Sequence, residues 1–184
     1  AVSISQREIL HQIQVHHGKI ECLTVDHNQV ITGGEDGYLR ILPCSDGTLL
    51  REIHAHNESV TSVACRDDIL CSGSCGGIVK TWSLSSGKQR HELNTYTSIV
   101  PGGAIHCIDI HLEDEIFIGC GSNVISWRVS TQNHSNNNNN NNNKHKQQET
   151  GEEREGEVSV ICSHQRPVKR VQRLGNLLFT CAGD

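Results

Sequence analysis

The stretch HNESVTSVACRDDILCSGSCGGIVKTWSLSSGKQRHEL, from His56 to Leu93, decides the fold. Its apolar residues come in short alternating runs: Val60, Val63 and Cys65, then Ile69 to Cys71, then Ile78 to Trp82, then a more polar Lys88 to Leu93. Turn residues part the runs at Arg66-Asp67-Asp68, Gly76-Gly77 and Ser85-Ser86-Gly87. Alternation broken by glycine and aspartate turns is the signature of strands, not helices. Four such strands joined by hairpin-length turns make one small antiparallel sheet.

The rest of the chain repeats this unit. Ile20 stands forty residues before Val60, with His16 four before it as His56 is four before Val60. Leu23 and Val25 match Val63 and Cys65, Val30 to Gly33 match Leu70 to Gly73, Asp36-Gly37 is the tight turn, and Leu42 falls where Trp82 falls. Ile105, forty-five residues after Val60, opens a third copy with Ile108, Ile110, Gly119 and Trp127. Val168, with His164 four before it, opens a fourth that reaches Thr180 and Asp184. Periods of this length belong to propeller blades of four strands.

In the pattern HxxxVxSVxCxxDxLxSGSxxGxVKTWS, and in GGEDGYLRI of the copy before it, the chain resembles WD-repeat proteins. The resemblance covers nearly the whole sequence outside an asparagine-rich stretch. It implies an all-β fold: a partial β-propeller of four-stranded antiparallel WD-type blades, about three and a half of them, or about half of a seven- or eight-bladed ring. Residues 16–55 are blade one, 56–93 blade two, 94–104 a longer loop, 105–163 blade three, and 164–184 the first half of blade four. Residues 1–15 read as the outer strand of a preceding or closing blade, because Ile13 lies seven before Ile20 as Ile53 lies seven before Val60. A closed four-bladed ring is the alternative architecture, with the N-terminal strand joining blade four.

Within blade three, residues 133–157 (NHSNNNNNNNNKHKQQETGEEREGE) contain no apolar side chain. Nothing in such a segment offsets the entropy of ordering it, so it reads as a disordered loop. Lengthening a loop adds little closure penalty, because that penalty grows with the logarithm of length.

The resemblance also assigns a structural polar network. It links a histidine before the first strand, a Ser or Thr ending the second, the tryptophan of the third and an aspartate in the tight turn. Blade one supplies His16, Thr32 and Asp36, with Leu42 in place of tryptophan. Blade two supplies His56, Ser72 and Trp82, with Gly76 in place of aspartate. Blade three keeps Trp127, with Pro101 at its histidine position and Ile118 or Gly119 at its hydroxyl position. Blade four supplies His164, Thr180 and Asp184. A hydrolase reading of these His, Ser/Thr and Asp residues fails, because Thr32 would end a strand and no GxSxG elbow exposes a nucleophile. Cys71 and Cys75 form a CxxxC without the second pair that a zinc site needs. No GxxxxGK[ST] or GxGxxG opens a helix, so a phosphate cradle is unsupported. No catalytic residue, metal or cofactor is assigned.

Composition narrows the class further. The net charge is −5, and no basic block points to nucleic acid. No apolar run approaches the length of a membrane span, and no secretory signal is visible. Nine cysteines, an odd number mostly inside strand-like runs, fit small buried side chains in a reducing compartment, so the chain is placed inside the cell, in cytoplasm or nucleus. The expected function is a non-enzymatic scaffold mediating protein–protein interactions in a larger complex. Loop-bearing positions Glu35, Glu58, Asn94, Tyr96 and Pro101 are the candidate partner contacts. The remainder of the propeller, or self-association, should cover the open ends of the arc. Arg166, Lys169, Arg170 and Arg173 keep an RNA- or phosphoinositide-binding propeller as an alternative, and a fragment without independent function is another.

Overall fold

The structure is a computed structural model. It describes residues 12–97, 102–111, 115–129 and 156–183, and the backbone of Val2–Ser3 and Glu8–Ile9. Pro101, Asp184 and nearly all of the 133–157 insertion lie outside the described residues.

After β1 (Val2–Ser3) and β2 (Glu8–Ile9) come β3 (Ile20–Asp26), β4 (Gln29–Gly34), β5 (Tyr38–Pro43) and β6 (Arg51–His54). They are followed by β7 (Val60–Arg66), β8 (Ile69–Ser74), β9 (Ile78–Ser83) and β10 (Gln89–Asn94). Next are β11 (Ile105–Ile110), β12 (Glu115–Cys120), β13 (Asn123–Arg128) and β14 (Glu157–Ser163), then β15 (Val168–Leu174) and β16 (Leu177–Ala182). Among the described residues there is no helix. β3 to β6, β7 to β10 and β11 to β14 each form a four-stranded antiparallel sheet in chain order, and β15 and β16 form a two-stranded one. We call them sheets I to IV. Among the described residues they make an open arc of a propeller, with exposed apolar residues on both end faces.

Local chemistry explains each sheet. The tight turns after β4 and β8 require a left-handed residue, and Gly37 (φ +78°) and Gly77 (φ +76°) supply it without Cβ strain. Every inner strand carries a bulge at the same place: the register slips between Ile20 and Cys22, Val60 and Ser62, Ile105 and Cys107, and Val168 and Arg170. Bulges increase twist, and the four inner strands converge on an axial cavity of about 320 Å³ that Thr61, His106 and Arg170 help to line.

The sheets are held together face to face, with one apolar cluster per interface. Ile31, Ile41, Val60, Val63 and Leu70 fill the space between sheets I and II. Cys71, Val79, Ile105, Ile108 and Ile118 fill that between II and III, and Cys107, Phe117, Val168 and Val171 that between III and IV. One contact recurs at all three. A Cβ built on Gly33 would fall 2.7 Å from Val60, on Gly73 2.4 Å from Ile105, and on Gly119 3.1 Å from Val168. Each second strand therefore offers a hole to the first residue of the next inner strand. Val60, Ile105 and Val168 are fully buried there, whereas Ile20, which has no such hole to enter, is 49% exposed. Leu23 and Val25 at that end, and Leu174, Leu177 and Phe179 at the other, are exposed as well.

The segment read as an outer strand, residues 1–15, lies only partly among the described residues. Glu8–Ile9 pairs with Val2–Ser3, and residues 12–15 form no strand. Ile13 nonetheless lies against the Gly47 turn of sheet I, much as Arg51 of sheet I lies against the Gly87 turn of sheet II.

Gly73→Ala should destabilise the chain by about 1–3 kcal/mol through overpacking against Ile105. Ile105→Ala should itself destabilise, and the double variant should be less destabilised than the sum of the two. Urea unfolding of the four chains measures this; strict additivity would refute the contact.

Candidate functional site

The candidate site is the row of turns where each sheet hands the chain to the next. Its geometry starts with the polar ties beneath it. In sheet I the His16 imidazole is buried, with Nε2 2.9 Å from Thr32 Oγ1 and Nδ1 2.9 Å from Asp36 Oδ1. Asp36 Oδ1 also accepts from the Tyr38 amide at 3.2 Å, and Asp36 Oδ2 from an Arg40 terminal nitrogen at 2.7 Å. Arg40 Nε donates on to Glu52 at 2.8 Å. Partial burial pushes Asp36 up, but the hydrogen bonds from Arg40, His16 and Tyr38 prevail and hold its carboxyl at about 2. The sequence reading missed Arg40 and Glu52. Their alternation along β5 and β6 was the available signal, since Arg40 and Glu52 are register partners.

Sheet II is tied differently. Trp82 Nε1–H donates to Ser72 Oγ at 3.0 Å, and Ser72 Oγ lies 2.8 Å from His56 Nε2. Both Ser72 and His56 are buried. Burial, helped by the positive charge of Lys80, pushes His56 down to about 4. Leu42, the counterpart of Trp82, is buried without any polar tie to Thr32, whose hydroxyl reaches the Arg40 carbonyl at 3.4 Å instead.

Sheet III lacks this network. The register sets Ile118 opposite Ile108 as Ser72 is opposite Val63, so Ile118 and not Gly119 takes the hydroxyl position. Trp127 is buried and meets His91 of sheet II edge-on at 6.5 Å. A different tie compensates: Glu115 accepts from Ser126 at 2.8 Å and from Arg173 of sheet IV at 2.7 Å. Burial pushes the Glu115 carboxyl up, but Ser126 and the Arg128 and Arg173 charges hold it below the usual range. Arg173 also donates its amide to Asp109 at 2.8 Å. The basic group drawn from the sequence is thus divided, with Arg173 committed internally and Arg170 lining the axial cavity. In sheet IV His164 Nε2 lies 2.9 Å from Thr180 Oγ1.

Above these ties the turns form a continuous row. The Ser59 hydroxyl bonds the Glu35 carbonyl at 3.4 Å, joining the turns of sheets I and II. Thr95 is fully buried, and its amide and hydroxyl both donate to the Gly77 carbonyl, at 3.1 and 2.8 Å. Its neighbour Tyr96 is 60% exposed and lies over Gly77 and Gly102. Glu35 and Glu58 are exposed, and Asn94 Oδ1 accepts from the Tyr96 amide at 3.0 Å. Among the described residues no three His, Cys, Asp or Glu side chains come together as metal ligands. All nine cysteines are unpaired, and burial pushes the thiols of Cys22 and Cys65 up to about 12.

Comparison with known proteins agrees with this arrangement. The family described as "WD domain, G-beta repeat" matches residues 7–41 and 47–83. Angio-associated migratory cell protein of Homo sapiens is 29% identical over 80 residues, which span 41% of this chain and 18% of that protein. The chain thus matches less than a fifth of that relative's length. Among solved structures, the computationally designed Ika4 protein superposes with a TM-score of 0.72 at 21% identity, over 95% of this chain and 92% of its own. The RRP9 WD40 repeats superpose with a TM-score of 0.62 at 18% identity, over 70% of this chain and 41% of theirs.

His56 is a proton acceptor suppressed in the folded chain and restored on unfolding. Its stabilisation is therefore complete above the unfolded value near 6.5 and is lost as pH falls towards about 4. The loss should be about 3 kcal/mol at most. His56→Gln should lower the Tm at pH 7.5 and flatten its decline between pH 6.5 and 4. An unchanged slope in thermal melts across that window would contradict the assignment.

Proposed function

We propose that this chain, a member of the WD-repeat family, is a non-enzymatic scaffold that mediates protein–protein interactions within a larger complex. One observation carries the reading. The row of turns displays Glu35, Glu58, Asn94 and Tyr96 on a rigid frame whose histidines are bonded to Thr32, Ser72 and Thr180. Those hydroxyls serve as ties between strands, and the Ser72 oxygen is further engaged by the Trp82 indole. Loops held by a rigid scaffold are where binding residues concentrate.

The 94–104 loop is the foremost partner contact. Thr95 anchors it to sheet II, and Tyr96 offers an aromatic surface of the kind enriched at interaction hot spots. The exposed Ile20, Leu23 and Val25, and Leu174, Leu177 and Phe179, form a second kind of surface, covered by further blades or by another copy of the chain. An intracellular setting, cytoplasm or nucleus, is supported by nine thiols of which none is paired. Among the described residues no helix is long and apolar enough to cross a membrane.

Replacing residues 96–103 by a Gly-Ser linker, with Thr95 retained, should weaken partner capture at least tenfold while leaving the Tm within about 3 °C. Quantitative pull-downs with both chains test this. Recovery of the same partners in the same amounts would refute the loop as the contact.

Two end-face substitutions, Leu23→Lys and Phe179→Lys, should convert a concentration-dependent oligomer into a monomer without lowering the Tm. Light scattering across a dilution series reads the outcome, and an oligomer that persists would refute association through these faces.

A further inference from the structure

Sheet II holds a cavity where sheet I holds a carboxylate. In sheet I the Asp36 carboxylate fills the space between His16 Nδ1, Arg40 and the Tyr38 amide. In sheet II the equivalent turn residue is Gly76, and a cavity of about 380 Å³ opens there, lined by His56, Glu58, Ser74, Gly76, Lys80 and Glu92. His56 is 96% buried by its 4% exposure, and its Nδ1 has no hydrogen-bond partner among the described residues.

The polarity of that nitrogen follows from the network. An indole N–H only donates, so the Ser72 oxygen accepts from Trp82. In the tautomer with Nε2 as the acceptor, the Ser72 hydroxyl donates to His56 Nε2. The imidazole's own proton then sits on Nδ1 and faces the cavity as a donor. Lys80 adds an ammonium, which meets Glu92 only at 3.5 Å and so retains unused donors. A buried imidazole donor and an ammonium around an open volume match a carboxylate. Glu92 does not oppose this, because sheet I accommodates Asp36 with Glu52 bonded to Arg40 in the same way. Glu58 is exposed, and its carboxylate stands over Gly76, 1.9 Å from where a Cβ would be built there, so an entering carboxylate must displace it.

We propose that this cavity is a carboxylate-binding site whose occupant is an aspartate or glutamate side chain of a partner protein. The cavity borders the partner loop: Gly77, next to Gly76, receives both Thr95 hydrogen bonds and lies beneath Tyr96. A residue inserted from a chain seated on that loop completes in sheet II the arrangement that Asp36 completes in sheet I. The identity of the occupant rests on the protein-interaction reading; the carboxylate chemistry of the cavity does not.

The test follows the ring ¹⁵N signals of His56, assigned by their loss in His56→Gln, during titration of the chain at constant ionic strength. The probes are a capped Gly-Asp-Gly tripeptide, its Gly-Asn-Gly counterpart and acetate. The Asp peptide should shift the signals saturably and the Asn peptide should not. Glu58→Gln should tighten the Asp peptide at least threefold, and Glu58→Gly with Gly76→Asp, which restores the sheet I pattern, should abolish the response. Should that double variant not fold, Lys80→Met should weaken the Asp peptide at least fivefold. Equal responses to Asp and Asn peptides, or none to either, would overturn the proposal. A response to acetate without one to the Asp peptide would overturn the side-chain occupant. Because the probes are small, failure here leaves the scaffold reading standing, and failure of the loop replacement leaves the cavity standing.

Discussion

The arc depends on one repeated steric fit: the glycine of each second strand receives the leading branched residue of the next sheet. Gly33 takes Val60, Gly73 takes Ile105 and Gly119 takes Val168. Sheet-on-sheet burial is nondirectional and would permit many offsets between neighbours. A hole the size of a missing Cβ permits one. It fixes the spacing of the inner strands, and with it the position of every turn on the loop-bearing face. Fully burying a Val or Ile contributes about 1.5–3 kcal/mol each, so the same fit that sets geometry also supplies cohesion.

The polar ties beneath the turns are built in three ways. Sheet I closes a charged cluster of His16, Asp36, Arg40 and Glu52. Sheet II uses neutral groups, Trp82, Ser72 and His56, and leaves one imidazole nitrogen unmatched. Sheet III gives up the histidine network and borrows Arg173 from sheet IV for Glu115. Among the described residues, no side-chain N or O that is wholly sealed from solvent lacks a partner. The chemistry of the ties thus differs from sheet to sheet.

This difference explains what could be read from residues alone. The blades were legible because period-two alternation and turn glycines are local signals; β7 to β10 fall on the runs first seen in the His56–Leu93 stretch. The glycines at 33, 73 and 119 were visible as repeats, but their role was not, since each acts on a residue twenty-seven or more positions away in another sheet. Arg40 was hidden for a related reason. An arginine in a strand reads as a solvated face until its partners across the turn and across the sheet are known. Sheet III was ambiguous because its turn is short, and only the pairing of Ile108 with Ile118 settles the alignment. Thr95 was passed over inside a loop, although its burial makes it part of the frame.

The last sheet breaks the steric rule in a telling place. By register Cys181 stands where Gly33, Gly73 and Gly119 stand, since it pairs with Arg170 as Gly73 pairs with Ser62. A thiol-bearing side chain leaves no socket for a valine or isoleucine. Any element that covers this end must therefore bring a smaller residue to that point or sit farther from the axis, so the two ends of the arc are not interchangeable and the fourth junction cannot copy the other three.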